Sequence, residues 1–521
     1  MANKDYMLIN ACIEENKKNN NFSQEEKDNI EYPLDKDIIS LITTIMKTIE
    51  NSKDDYEIFK HLDLLSKLWK TLIEKAIKCL RYFDDREPFL KIPGKKPIAY
   101  GIDNLYDYYM SYTEYERVLY GSSKYYRDHV VHVFRTWLSG LYCLIRNKGE
   151  YLHSIVINED KLELTNCEKL SIWTIIALTH DLGYPLEKAK GIIETTKKMV
   201  STFITNPDIS MDLTFHGVQS YMNDFIVRLV SSKMISQDTC NPEKHFVARL
   251  QPKYYFKFQK SLEKNEHGIL SALIIYKLLT YFLESDYNIN EDYAFDDKER
   301  RQFYIRREIL RSIASHTCKD VYHLFMSSFA FLLIIADDTQ EWGRKYISEL
   351  YVEANQEHEF DDIKLIVADG KNTKNICELN ENITLKEGQD TEAVGVLLRR
   401  LHHQAMVYIT LFRDGQETEK RNFTFVKNCN IKCKGASSIN FTIKLEINNE
   451  SKAKLICKII YSGNGEINEK FNEKFFQDSF RKDKNGQETE WWNEIKLVKE
   501  ADDENKSETW KSGVVTFLLI R

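Results

Sequence analysis

The sequence predicts a mainly α-helical chain that ends in a β-rich region, α+β overall. Between Asp35 and Leu350 apolar residues recur at three- and four-residue intervals, which is the period of an amphipathic helix. Beyond Arg421 the pattern turns to alternation, in Phe423 and Phe425, Phe441-Thr442-Ile443-Lys444-Leu445-Glu446-Ile447, Leu455 to Tyr461 and Val514 to Ile520. That is the period of a half-buried strand. No proline follows Pro252, so the late turns fall to Asn448-Asn449, Gly463-Asn464-Gly465 and Asn485-Gly486.

Taken in order, Ile38, Ile39, Leu41, Ile42 and Ile45, then Leu62, Leu64, Leu65, Leu68, Leu72 and Ile73, mark helices separated near Asn51 to Asp55. Arg86 to Gly101 carries Pro88, Pro93-Gly94 and Pro97, and such a density of helix breakers suggests a boundary. It closes an N-terminal helical region, 1–98. The catalytic-sized helical domain is 99–352, with long loops expected near Pro207 and between Thr239 and Lys264. A mixed segment, 353–420, holds a strand at Ile363 to Val367 before Asp369-Gly370 and a helix from Thr391 to Leu411. The β-rich domain is 421–521. A length of 521 residues fits about three domains at ~100 to 200 residues each.

With 42% hydrophobic, 29% charged and 12% aromatic residues the chain is that of a folded protein. Its net charge of −7 disfavours a protein that coats nucleic acid, since such binding depends on Lys and Arg neutralising phosphates. The N-terminus lacks a basic region followed by an apolar stretch. The strongest apolar run, Phe329 to Ala336, meets Asp337-Asp338 well short of the ~20 residues a membrane span needs. A cytoplasmic protein without a membrane segment is expected. Ten cysteines are scattered, and Cys429 with Cys433 lacks a second pair for a structural zinc.

Three apolar helices deliver His or Asp. Ser171-Ile172-Trp173-Thr174-Ile175-Ile176-Ala177-Leu178-Thr179 runs into His180-Asp181, and Gly183 and Pro185 stop it. A carboxylate at the end of a buried helix is costly unless something pairs it. Upstream, Asp128-His129-Val130-Val131-His132 offers two imidazoles at a three-residue offset. Downstream, Leu332 to Ala336 closes on Asp337-Asp338. Nitrogen and oxygen donors without thiolate suit a divalent ion such as Mn, Fe, Co, Ni, Zn or Mg.

This order of His, His-Asp and Asp resembles the HD-domain superfamily of metal-dependent phosphohydrolases, over roughly residues 120 to 345. The resemblance implies an HD-type helical core and the metal ligands His129, His180, Asp181 and Asp337. His129 is preferred to His132 because Val133 follows it by four positions, and Asp337 to Asp338 because Ala336 precedes it. Glu266-His267-Gly268 and Ser312-Ile313-Ala314-Ser315-His316 are similar to the extra histidine motifs of two-metal HD enzymes, which makes His267 and His316 further ligands. His316-Thr317 stands where a histidine pair is common. Thr214-Phe215-His216-Gly217 resembles the segment after His-Asp in deoxynucleoside triphosphate triphosphohydrolases, although Tyr184 replaces another histidine of those enzymes.

The function implied is hydrolysis of a nucleotide, with a deoxynucleoside triphosphate as the leading substrate. His216 or His132 is expected to protonate the leaving oxygen. Lys124, Arg127, Lys188, Lys319 and Arg344 lie near the motifs as phosphate partners. A two-metal phosphodiesterase or nuclease, and a degenerate signal-binding protein, are the alternatives. The segment Lys253 to Lys260 interleaves bases and aromatics and is read first as an amphipathic segment with Tyr254, Phe256 and Phe258 inward. The terminal β domain is a candidate surface for an effector, a partner or a second copy of the chain, and family analogy suggests a role in antiviral defence by nucleotide depletion.

Overall fold

The computed structural model describes residues 3–18, 36–51, 62–82, 101–122, 126–146, 152, 155, 162–205, 218–237, 245–283, 295–318, 321, 325–344, 356–366, 374–386, 422–433, 438–447, 453–462, 494–500 and 512–519. The chain divides into two compact units, Met1–Val321 with Ser327–Asp337 and Tyr322–Met326 with Asp338–Arg521.

The first unit is helical: α1 (Asn3–Lys18), α2 (Lys36–Asn51), α3 (Leu62–Tyr82), α4 (Ile102–Ser122), α5 (Val130–Arg146), α6 (Asn166–Thr179), α7 (Tyr184–Val200) and α8 (Val218–Ser231) precede a hairpin, β1 (Ser232–Gln237) with β2 (His245–Leu250). Then come α9 (Pro252–Glu263), α10 (His267–Leu278), the single turn α11 (Thr280–Leu283), α12 (Asp297–Ser315) and α13 (Phe329–Thr339). At its centre α6 is buried along its whole length and packs on α3, α5 and α12. Its start is fixed by a capping box, in which Thr165 accepts from the Glu168 N–H and Glu168 accepts from the Thr165 N–H. Burying Ile172, Ile175, Ile176 and Leu178 contributes about 1.5 to 3 kcal/mol each. Trp69 of α3 donates to Leu178 O at 2.9 Å and Trp173 to Trp137 O at 2.9 Å. Gly140 makes room for that indole, since a Cβ there would fall 1.9 Å from Trp173.

The boundary expected at 98/99 does not separate two bodies. The N-terminal helices bury their apolar faces on the later ones, α1 on α5 and α3 on α6, and a buried pair of Asp5 with Arg135 at 2.8 Å ties α1 to α5. The long loop expected from Thr239 to Lys264 is also corrected. Residues 245–250 form β2, and Pro252 opens α9 in its first turn, where the missing N–H costs nothing. In α9 Tyr254 and Phe258 are buried while Phe256 is exposed, so the inward reading holds for two of its three aromatics. The segments near Pro207 and from Thr391 to Leu411 lie outside the described residues.

The second unit carries strands β3 (Gln356–Ile366), β4 (Lys374–Leu385), β5 (Asn422–Cys433), β6 (Ser438–Ile447), β7 (Ala453–Ser462), β8 (Glu494–Glu500) and β9 (Ser512–Leu519) in the order β3-β4-β5-β6-β7-β9-β8. All neighbours are antiparallel except β4 and β5. Alternation puts Cys377, Leu379, Ile383 and Leu385 of β4 and Phe425, Cys429 and Ile431 of β5 on one buried face. The same face buries Lys427, 3.1 Å from Glu381 Oε2, and Glu381 also meets His358 at 2.5 Å, so the charges are paired as burial demands. The described residues are thus mainly helical with strands, consistent with α+β, and no helix among them is long and apolar enough to cross a membrane.

Candidate metal centre

His180 stands at the C-cap of α6 with helical backbone angles. Its Nδ1 lies 2.8 Å from Ala177 O, one of the carbonyls that a helix end leaves free. A proton donated there leaves the lone pair on Nε2. That atom is enclosed and makes no hydrogen bond to the protein. Burial pushes the imidazole down to about 4, against the pull of Asp181 and Asp337, so it is neutral at neutral pH.

Asp181 follows in the turn to α7. Gly183 lets that turn press against α10, because a Cβ would meet His267 O at 2.4 Å, and its N–H donates to Ser271 Oγ at 2.7 Å. The Asp181 carboxylate is buried, which would raise its pKa, yet His180, His316, His267 and His129 outweigh burial and hold it well below the usual range.

Around Asp181 Oδ2 the structure gathers His180 Nε2 at 3.4 Å and His132 Nε2 at 3.7 Å. Asp337 Oδ1 lies 2.8 Å from His132 Nε2 and 3.9 Å from His180 Nε2. Around Asp181 Oδ1 it gathers His267 Nε2 at 3.3 Å and His316 Nε2 at 3.8 Å. His316 repeats the device of His180 at the end of α12, with Nδ1 2.5 Å from Ile313 O and an Nε2 that is buried without a hydrogen bond. These atoms form two groups close enough to hold ions, His132, His180 and Asp181, and Asp181, His267 and His316. Asp337 borders the first, and Asp181 belongs to both.

The residues fit divalent ions. His180 Nε2, which burial keeps without a proton, faces anionic oxygens inside the protein, an arrangement that costs free energy unless a cation joins it. The donor set does not fix which metal binds.

His132, and not the expected His129, is grouped with His180 and Asp181. Asp128 caps α5 by accepting from the N–H of Val131 and of His132 at 3.1 Å, so His132 is the imidazole of the first turn that reaches Asp337. His129 sits just before the helix, its N–H bound to Glu116 Oε1 at 2.6 Å and its Nδ1 3.2 Å from the Tyr126 hydroxyl. Its ring stacks on Tyr184 at 3.9 Å, and it is not among the grouped donors. Asp338 is not among the grouped donors.

Lys188 reaches Glu187 Oε1 at 2.6 Å and lies over the Tyr184 ring at 4.8 Å. Arg127 is half-buried beside the Asp128 cap. Arg344 belongs to the second unit, and His216, Lys124 and Lys319 lie outside the described residues. Sequence reasoning missed Glu187, which accepts from His267 Nδ1 at 2.6 Å. Its signal was an acid in the first turn of the helix that follows His-Asp.

Comparison of the chain with models of known protein families, with curated proteins and with solved structures gives no match.

Proposed function

We propose that the chain is a metal-dependent phosphohydrolase with an HD-type helical core, acting on small nucleotides. The observation that carries the reading is the pair of enclosed, unbonded Nε2 atoms of His180 and His316, on either side of the Asp181 carboxylate. Hydrolysis of a phosphate ester needs charge stabilised on phosphoryl oxygens, a nucleophile made from water and a proton for the leaving oxygen.

His132, His180, Asp181 and Asp337 would hold a first ion, and Asp181, His267 and His316 a second. When bound, such ions supply Lewis-acid stabilisation of the phosphoryl group and acidify water. The proton for the leaving oxygen, a role first given to His132 or His216, is assigned in this reading to His129, whose Nδ1 lies 3.2 Å from the Tyr126 hydroxyl and whose ring stacks on Tyr184 beside the donor groups. Lys188 is the cation among the described phosphate partners that adjoins the donors, held by Glu187 next to His267.

Two substrate classes remain in competition. The resemblance around His216 favours a deoxynucleoside triphosphate. The sharing of Asp181 between two donor groups favours a two-ion phosphodiesterase. The strand-rich second unit is proposed to receive an effector, a partner or a second copy.

The deciding experiment incubates the protein with deoxynucleoside triphosphates, cyclic nucleotides and single strands under Mn²⁺, Mg²⁺ or Co²⁺, with mass spectrometry of the products. Inorganic triphosphate plus nucleoside supports the first class, and cleavage of a diester with triphosphates untouched supports the second. A metal-bearing protein that turns over none of them would leave the signal-binding alternative and end the enzymatic reading.

A further inference from the structure

The three imidazoles around Asp181 that have an identified Nδ1 acceptor do not reach it in the same way. His180 and His316 sit at the ends of α6 and α12, and each finds a backbone carbonyl three residues back, Ala177 O at 2.8 Å and Ile313 O at 2.5 Å. Helix ends expose free carbonyls, so the acceptor comes with the fold. His267 is the first residue of α10. A helix start exposes N–H donors and no carbonyl acceptors, and an imidazole there needs its acceptor from elsewhere.

Glu187 of α7 supplies it. Its Oε2 accepts from His267 Nδ1 at 2.6 Å and from the His267 backbone N–H at 2.9 Å, while Oε1 takes the Lys188 ammonium at 2.6 Å. Burial would raise the carboxyl, but His267 and Lys188 hold it well below the usual range, and an anion at a helix N-terminus is favoured by the dipole. Each oxygen is therefore used. The consequence is a single tautomer for His267, with the proton on Nδ1 and the lone pair on Nε2, 3.3 Å from Asp181 Oδ1.

We propose that Glu187 is a positioning residue for the second ion, fixing the tautomer and ring orientation of His267 from a neighbouring helix. This rests on the reading above, that the two donor groups hold ions. Partners of this kind commonly change metal affinity by about 10- to 100-fold when removed. The first donor group, whose His180 is fixed by its own helix, does not depend on Glu187.

The test titrates metal-free full-length protein with Mn²⁺ by calorimetry, with bound metal counted after dialysis. Wild type is expected to take up two ions. Glu187→Ala should weaken one by about 10- to 100-fold and leave the other unchanged. Glu187→Gln, whose amide oxygen still accepts from Nδ1, should lie between. Nitrogen-15 NMR of the metal-free histidines gives a readout independent of any ion: the His267 ring should be protonated at Nδ1 in wild type and lose that preference in Glu187→Ala. Wild-type affinity for both ions, or equal loss of both in a variant with an unchanged circular dichroism spectrum, would overturn the role of Glu187. A wild type that binds no Mn²⁺ would instead overturn the metal reading itself, and with it this inference.

Discussion

His132 Nε2 lies 2.8 Å from Asp337 Oδ1, a contact between the first turn of α5 and the end of α13 that spans 205 positions. It closes the first donor group. His132→Ala should therefore abolish uptake of the first ion, whereas His129→Ala should keep the metal and lose turnover by about 10²- to 10⁴-fold, the range of a general acid. Metal counting beside single-turnover rates separates the two, and loss of metal from His129→Ala alone would restore His129 as the ligand.

The carboxylates should also divide. Asp181 contributes one oxygen to each donor group, so Asp181→Ala should strip both ions. Asp337→Asn should weaken only the first, and Asp338→Asn neither. Elemental analysis of the dialysed variants checks this, and retention of one ion by Asp181→Ala would show that the groups do not share it.

Gly183→Ala should destabilise the protein by about 1 to 3 kcal/mol. The new methyl would have to displace backbone, His267 O at 2.4 Å and Ser271 N at 2.8 Å, and not a flexible side chain. The midpoint of urea unfolding reads it directly. An unchanged midpoint would mean that α7 and α10 approach less closely than described.

The pH dependence has a definite sign. Burial holds the His180 imidazole at about 4 in the folded protein against an ordinary 6.5. Between these values the unfolded chain binds the extra proton, so this group's contribution rises with pH and is lost as pH falls from 6.5 through 4, an effect on the order of 3 kcal/mol. In chelator-treated protein, His180→Gln should flatten stability across that window, while the carboxylates Asp181 and Asp337, both held low, keep their own losses at lower pH. Equal slopes for variant and wild type between pH 4.5 and 7 would contradict the burial argument.

Much was legible in the chain itself. The helical period marks α2, α3, α6 and α13, and the alternation beyond Arg421 marks β5, β6, β7 and β9, because each pattern reports which face of a regular element leaves water. His180-Asp181 and Asp337 were visible because polar groups that end an apolar helix stand out from it. By contrast, the 98/99 boundary and the loop before Lys264 were misread. A proline-rich stretch says where a helix stops, not whether the helices on either side share a core.

The sequence by itself determined the residue types that meet at the centre, the helices that carry them and a chemistry of nitrogen and oxygen donors. Only the tertiary structure decided which of His129 and His132 points at Asp337, that Asp181 serves two groups, and that Glu187 holds His267. The reason is geometric. Two imidazoles three positions apart look alike along a chain, and the Asp128 cap and the packing of α5 fix which one turns inward. A carboxylate that reaches across 80 positions to a helix start leaves no local pattern at all.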